Sequence, residues 1–158
     1  MRPQAQTQRG YTYIGLLIFV AVTATLSAGL LRTGSVVQRH GAEDALLEAG
    51  SELGNALYSY ARATPQGQNA RPLRMEDLLR DPRFPKIVVR HLRRVPLDPM
   101  TGKERWGELL SDSAPGIDAF YSLSDLQTDR TTFLPKYADF ADKRYYREWL
   151  FDEGLAQR

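Results

Sequence analysis

No residue from Tyr11 to Leu31 is charged, and beyond Leu31 the apolar positions return in steps of three and four as far as Tyr60. The first pattern predicts a helix that is apolar all round. At about 1.5 Å per residue it reaches roughly 31 Å, the hydrocarbon thickness of a bilayer, so a membrane-spanning segment is expected over 11–31. Thr23, Thr25 and Ser27 fit such a helix because short hydroxyls can bond back to helix carbonyls. The second pattern places Val36, Val37, Ala42, Ala45, Leu46, Ala49, Leu53, Ala56, Leu57 and Tyr60 on one helix face. Glu43, Asp44, Glu48, Glu52 and Arg62 are expected on the solvent side. No proline falls between Pro3 and Pro65, so one continuous helix is predicted from about residue 12 to about residue 63, with 32–63 as its continuation beyond the membrane. Gly29, Gly34, Gly41, Gly50 and Gly54 each weaken it by about 1 kcal/mol relative to Ala. Gly29, Gly34 and Gly41 bracket the membrane exit, where bending is expected.

The remainder, 64–158, reads as a small α+β part. Thr64 to Pro72 is a polar loop, and Leu73 to Arg80 is a short helix with Leu78 and Leu79 inward, ended by Asp81, Pro82 and Pro85. Asp98-Pro99 and Thr101-Gly102 are turn signals. Three strands are predicted over Arg105–Leu110, Ala119–Leu123 and Tyr145–Phe151. Joined by turns, they make an antiparallel sheet whose apolar face lies on the long helix. Trp106, Phe120, Tyr121, Trp149 and Phe151 supply much of its core.

Composition narrows the chemistry. There is no cysteine, which excludes a disulfide scaffold, a thiolate metal site and a thiol nucleophile. Arg2 and Arg9 lie in the first ten residues, which hold no acid; from Tyr11 onward 19 basic residues face 19 acidic ones. The positive N-terminal flank predicts a cytoplasmic N-terminus and a C-terminal part on the far side of the membrane. His40 and His91 lack the spacing of a metal pair, and no phosphate loop, nucleophile elbow or zinc signature occurs. No catalytic constellation is legible, and no enzyme is expected. Arg83, Lys86, Arg90, His91, Arg93 and Arg94 form one basic run. Nucleic acid is one reading of it, and not the expected one. Only Phe84 offers a stacking ring within the run, so pairing with acids of the long helix is the expectation, within or between subunits.

Three fates are open to the N-terminal segment: secretory cleavage near Ser27, Ala28 and Gly29; retention as a plain anchor; or a cut after Gly10, where a residue without a side chain lets a protease approach. A short basic leader ending in Gly10, then Tyr11, Thr12 and an unbroken apolar helix, resembles the prepilin signal of type IV pilins and type II secretion pseudopilins. The stretches FPKIVVRHLRRVPLDPMTGKERWG, GIDAFYSLSD and YREWLF are similar to the G-type pseudopilin pattern: Arg93 and Arg94 before the Asp98-Pro99 and Gly102 turn, then Trp106-Gly107, Tyr121 and Trp149. This resemblance covers roughly Arg9 to Phe151. It implies removal of the leader 1–10 by prepilin peptidase and N-methylation of Tyr11, where the family usually has Phe. It also implies a type IV pilin-like fold, a long helix packed on a small sheet.

The expected role is a pseudopilin subunit of a type II secretion pseudopilus, held in the bacterial inner membrane by a single pass with its C-terminal domain in the periplasm. Its partners would be other pseudopilins, prepilin peptidase, the inner-membrane secretion platform and membrane lipid. Gly15 stands where the family usually has Glu, which leans toward a minor or tip subunit. The calcium loop of the major pseudopilins is glycine- and aspartate-rich, whereas this chain reads SDLQTDRTTFLPKYADFADKRYY. Asp125 with Asp129, or Asp139 with Asp142, are weak calcium candidates, and no cofactor is expected. The alternatives are a minor type IV or competence pilin that binds DNA or a surface, and a solitary membrane-anchored periplasmic protein.

Overall fold

A computed structural model describes residues 11–157, with the side chains of 13–23 and 39–157. The leader and Gly10 lie outside the described residues. Helix α1 runs Tyr11–Arg62, 52 residues. A one-turn helix α2 (Glu76–Leu79) and strands β1 (Gly107–Leu110), β2 (Ile117–Tyr121) and β3 (Phe151–Asp152) follow. Compact units divide after Gly41.

The membrane-spanning expectation is corrected. Among the described residues no helix is long and apolar enough to cross a membrane. The transmembrane first half of the fold, the single inner-membrane pass and the placement that followed from it are overturned together.

Within the unit from Ala42 onward, α1 buries Glu43, Leu46, Leu47, Leu53, Ala56, Leu57 and Tyr60. Glu43 is a second correction, because its charge placed it on the solvent side. The successive steps from Glu43 to Leu46, Gly50 and Leu53 are three, four and three, which sets it on the buried stripe. The burial is supported by the Tyr146 hydroxyl, which donates to Glu43 Oε1 at 2.6 Å, and by Thr128 Oγ1 at 3.3 Å. The close approach of helix and sheet rests on Gly54, where an added Cβ would stand 2.6 Å from the carbonyl oxygen of Asp152.

The sheet is antiparallel in the order β1-β2-β3. Gly107 pairs with Tyr121, and the register shifts between Leu109 and Leu110. Phe120 pairs with Phe151. The third strand is shorter than the predicted Tyr145–Phe151, because Tyr146–Glu148 forms a 3-10 turn instead. Glu148 takes the backbone N–H groups of Arg144 and Tyr145 at 2.8 and 3.0 Å, which stops the extended run there. These bonds to the ionised form hold its carboxyl below the ordinary glutamate value. Trp149, fully buried, stacks on Phe140 with ring centroids 5.4 Å apart. Helix α2 is likewise shorter than expected. Asp77 Oδ2 accepts the N–H groups of Leu73 and Arg74, which leaves those two residues as its non-helical lead-in.

Candidate functional site

Of the residues that carry the resemblance, Asp98, Pro99, Gly102, Trp106, Gly107 and Tyr121 fall into two structural devices. Asp98 is fully buried and works as the hub of the first. Its side chain accepts from Met100 N–H, Thr101 Oγ1 and Ser122 Oγ at 2.9, 2.9 and 2.8 Å. Pro99 follows it, and the chain returns through Gly102, whose φ of +69° is a left-handed conformation suited to glycine. The Gly102 N–H donates to the Asp98 carbonyl at 2.8 Å. Trp106 then enters the core and donates to the Pro96 carbonyl at 2.9 Å. In the second device the Tyr121 ring covers the hydrogen face of Gly107, leaving no room for a Cβ.

Among the described residues no three Asp, Glu, His or Cys side chains group as metal ligands. Asp125 instead meets Arg147 Nη1 at 2.8 Å. Arg93 and Arg94 are exposed.

The basic run divides. Arg83 and His91 do not reach acids of α1; both fold onto Asp81, whose side chain is fully buried. Arg83 Nη2 stands 2.6 Å from Asp81 Oδ2, and Arg83 Nε stands 2.9 and 3.1 Å from the two oxygens. Burial is the largest influence on the Asp81 carboxyl and pushes its pKa up. The hydrogen bonds from Arg83 and His91 and the Arg83 charge together outweigh it, so the net shift is downward. Arg83 also donates to the Tyr60 carbonyl at 2.9 Å and to Thr64 Oγ1 at 2.7 Å, and its guanidinium lies 3.5 Å above the Tyr60 ring. It therefore serves the orphan carbonyls at the end of α1, where the helix dipole favours a cation. Burial raises the Tyr60 hydroxyl pKa, and the Arg83 charge offsets part of that.

His91 bridges this pair to Ser59: Nε2 is 3.2 Å from Asp81 Oδ2 and Nδ1 is 2.8 Å from Ser59 Oγ. Ionised Asp81 only accepts, which assigns the neutral ring a proton on Nε2 and leaves Nδ1 to accept from Ser59. Sequence reasoning missed this trio, because its members are 10 and 32 positions apart on different elements. The surroundings suit a clamp better than an acyl-transfer nucleophile. Ser59 sits in the last turn of α1, whose carbonyls repel an oxyanion, and Asp81 is already neutralised by Arg83.

The clamp closes the neck of a loop. Asp81 N–H donates to the Val89 carbonyl at 3.0 Å, while His91 and Leu92 N–H both reach the Leu78 carbonyl at 2.9 Å. The loop tip exposes Lys86, Ile87, Val88 and Arg90. Beside the neck lies an open groove of about 770 Å³ along α1. Its floor holds Leu47 and Tyr137, and its rim holds Glu48 and Glu52. Comparison with family models, curated proteins and solved structures finds no match for this chain.

Proposed function

We propose that the chain is a pseudopilin-type filament subunit of a type II secretion machine, matured by a cut after Gly10 and assembled by packing α1 against the helices of neighbouring subunits. The observation that carries this reading is the first described stretch of α1. Tyr13, Ile14, Leu16, Leu17, Ile18, Phe19, Val20 and Val22 are all between 50% and 66% exposed. A contiguous apolar surface of this kind marks an interaction site. Full burial of each large side chain is worth about 1.5–3 kcal/mol. Neighbouring helices of the same type supply a partner that is apolar on every side, as this stretch is. The leader motif ending in Gly10 supports the maturation step. Among the described residues, and apart from the neighbouring helix backbone, nothing lies within 4 Å of a Cβ added at Gly15, which is consistent with a subunit contact at the position where the family usually has Glu.

The test is the mass of the mature N-terminus in cells with and without prepilin peptidase. A methylated Tyr11 that depends on the peptidase is the expected result. An intact Met1, or a cut near Ala28, would discard the reading.

A further inference from the structure

The loop tip and the groove have matching chemistry. Ile87 and Val88 are 62% and 61% exposed, so the tip does not occupy the groove of its own chain. Lys86, Arg90, Arg93 and Arg94 flank them, all exposed and without an ion pair among the described residues. The groove presents Leu47 and Tyr137 at its floor and Leu134, 62% exposed, on its wall. Along its rim Asp44, Glu48 and Glu52 recur every four residues on one helix face. Asp44 already holds Arg130 at 2.5 Å, and Lys136 on the far wall lies over the Tyr137 ring at 4.5 Å. Glu48 and Glu52 have no ion pair among the described residues, which leaves two acids for an incoming basic loop.

We propose that the 81–91 loop of one copy docks in the α1 groove of a second copy, Ile87 and Val88 against Leu47 and Leu134, with Arg90 and its basic neighbours on Glu48 and Glu52. The inference rests on the filament reading and names the contact between its globular parts. Loop and groove are different surfaces of one chain, so the contact is head-to-tail, the kind that repeats along an open assembly where its rotation does not close a ring. The Asp81–Arg83–His91 clamp holds the neck before docking, which lowers the ordering cost of association.

The chain has no cysteine, so single cysteines report directly. Val88→Cys and Leu134→Cys are placed in differently tagged full-length copies, expressed together with prepilin peptidase and treated with a short bismaleimide. A mixed cross-linked dimer is expected from this pair and not from Val88→Cys with Leu110→Cys, since Leu110 is exposed outside the groove. Arg90→Glu and Glu48→Lys should each lower the yield at least about tenfold, because like charges facing each other cost several kcal/mol, and the double variant should recover it. Filaments with mature Tyr11 but no 88–134 cross-link would overturn the docking and leave the filament reading standing. A cross-link without Tyr11 maturation would keep the contact and discard the filament. Retention of the full chain on phosphatidylglycerol vesicles or on DNA, with no cross-link, would replace the second copy by an anionic ligand.

Discussion

Two stretches of one helix use apolar residues in opposite ways. From Tyr13 to Val22 the large side chains face solvent on all sides. From Glu43 to Tyr60 they gather on one stripe, and the stripe is covered by Phe120, Trp149, Phe151 and their neighbours. The helical backbone is common to both, so the difference lies in the side-chain pattern. A stripe can be satisfied within one chain by a small sheet. An all-round apolar surface cannot, because a sheet covers only one side, and on the filament reading its burial comes from neighbouring subunits.

The largest expected effect tests what ties down the end of the covered stretch. Asp81→Ala leaves the Arg83 guanidinium buried without its carboxylate and should cost about 3–5 kcal/mol in urea unfolding followed by tryptophan fluorescence. The same group sets an acid limit. The folded Asp81 pKa lies below the unfolded one, so its contribution is complete above the ordinary aspartate value of about 3.9 and fades as pH falls through the folded value. That acid-dependent part of the unfolding profile should be missing in Asp81→Ala.

The next comparison sets one truncation in both stretches. Leu53→Ala, at a fully buried position, should destabilise the domain by about 2–5 kcal/mol. Leu17→Ala, at a position 51% exposed, should leave its unfolding curve within about 0.5 kcal/mol and, on the proposed filament reading, lower the amount of assembled filament instead. Equal loss of stability in both would erase the distinction between the stretches.

The smallest effect should change sign along the helix. At Gly41 an added Cβ meets nothing within 4 Å, so Gly41→Ala should add up to about 1 kcal/mol through helix propensity. At Gly54 the Cβ would press on the Asp152 backbone, and overpacking there should cost about 1–3 kcal/mol despite the same propensity gain. Thermal melts of the two variants on opposite sides of the parent would establish the contrast.

Much of the fold could be read locally. The stripe through Leu46, Leu53, Leu57 and Tyr60, the Asp98–Gly102 turn, and the strands around Glu108 and Phe120 rest on spacing and turn chemistry. The covering of α1 by Phe151 is a contact between residues about a hundred positions apart, which no local pattern encodes. YREWLF reads as a strand from its aromatic and apolar residues, yet its first half, Tyr146–Glu148, is a 3-10 turn. Its fate is decided by Glu148 capping two backbone amides and by Trp149 stacking on Phe140.

The candidate site was less legible. Arg83 and Arg90 look alike in a basic run, but one is drawn into the end of α1 by Asp81 and the other is left at the surface. Glu43 read as a solvent acid until Tyr146 supplied its buried donor. The sequence by itself determined the period of α1, the glycine where the chain must turn, and the apolar run that one small sheet cannot cover. Those follow from backbone geometry and the hydrophobic effect acting on neighbours along the chain. Which charges are buried, which histidine bridges which elements, and where a groove opens beside a basic loop were decided only by tertiary structure. Each of these depends on a partner brought from a distant position, and a buried charge is tolerated only where that partner arrives.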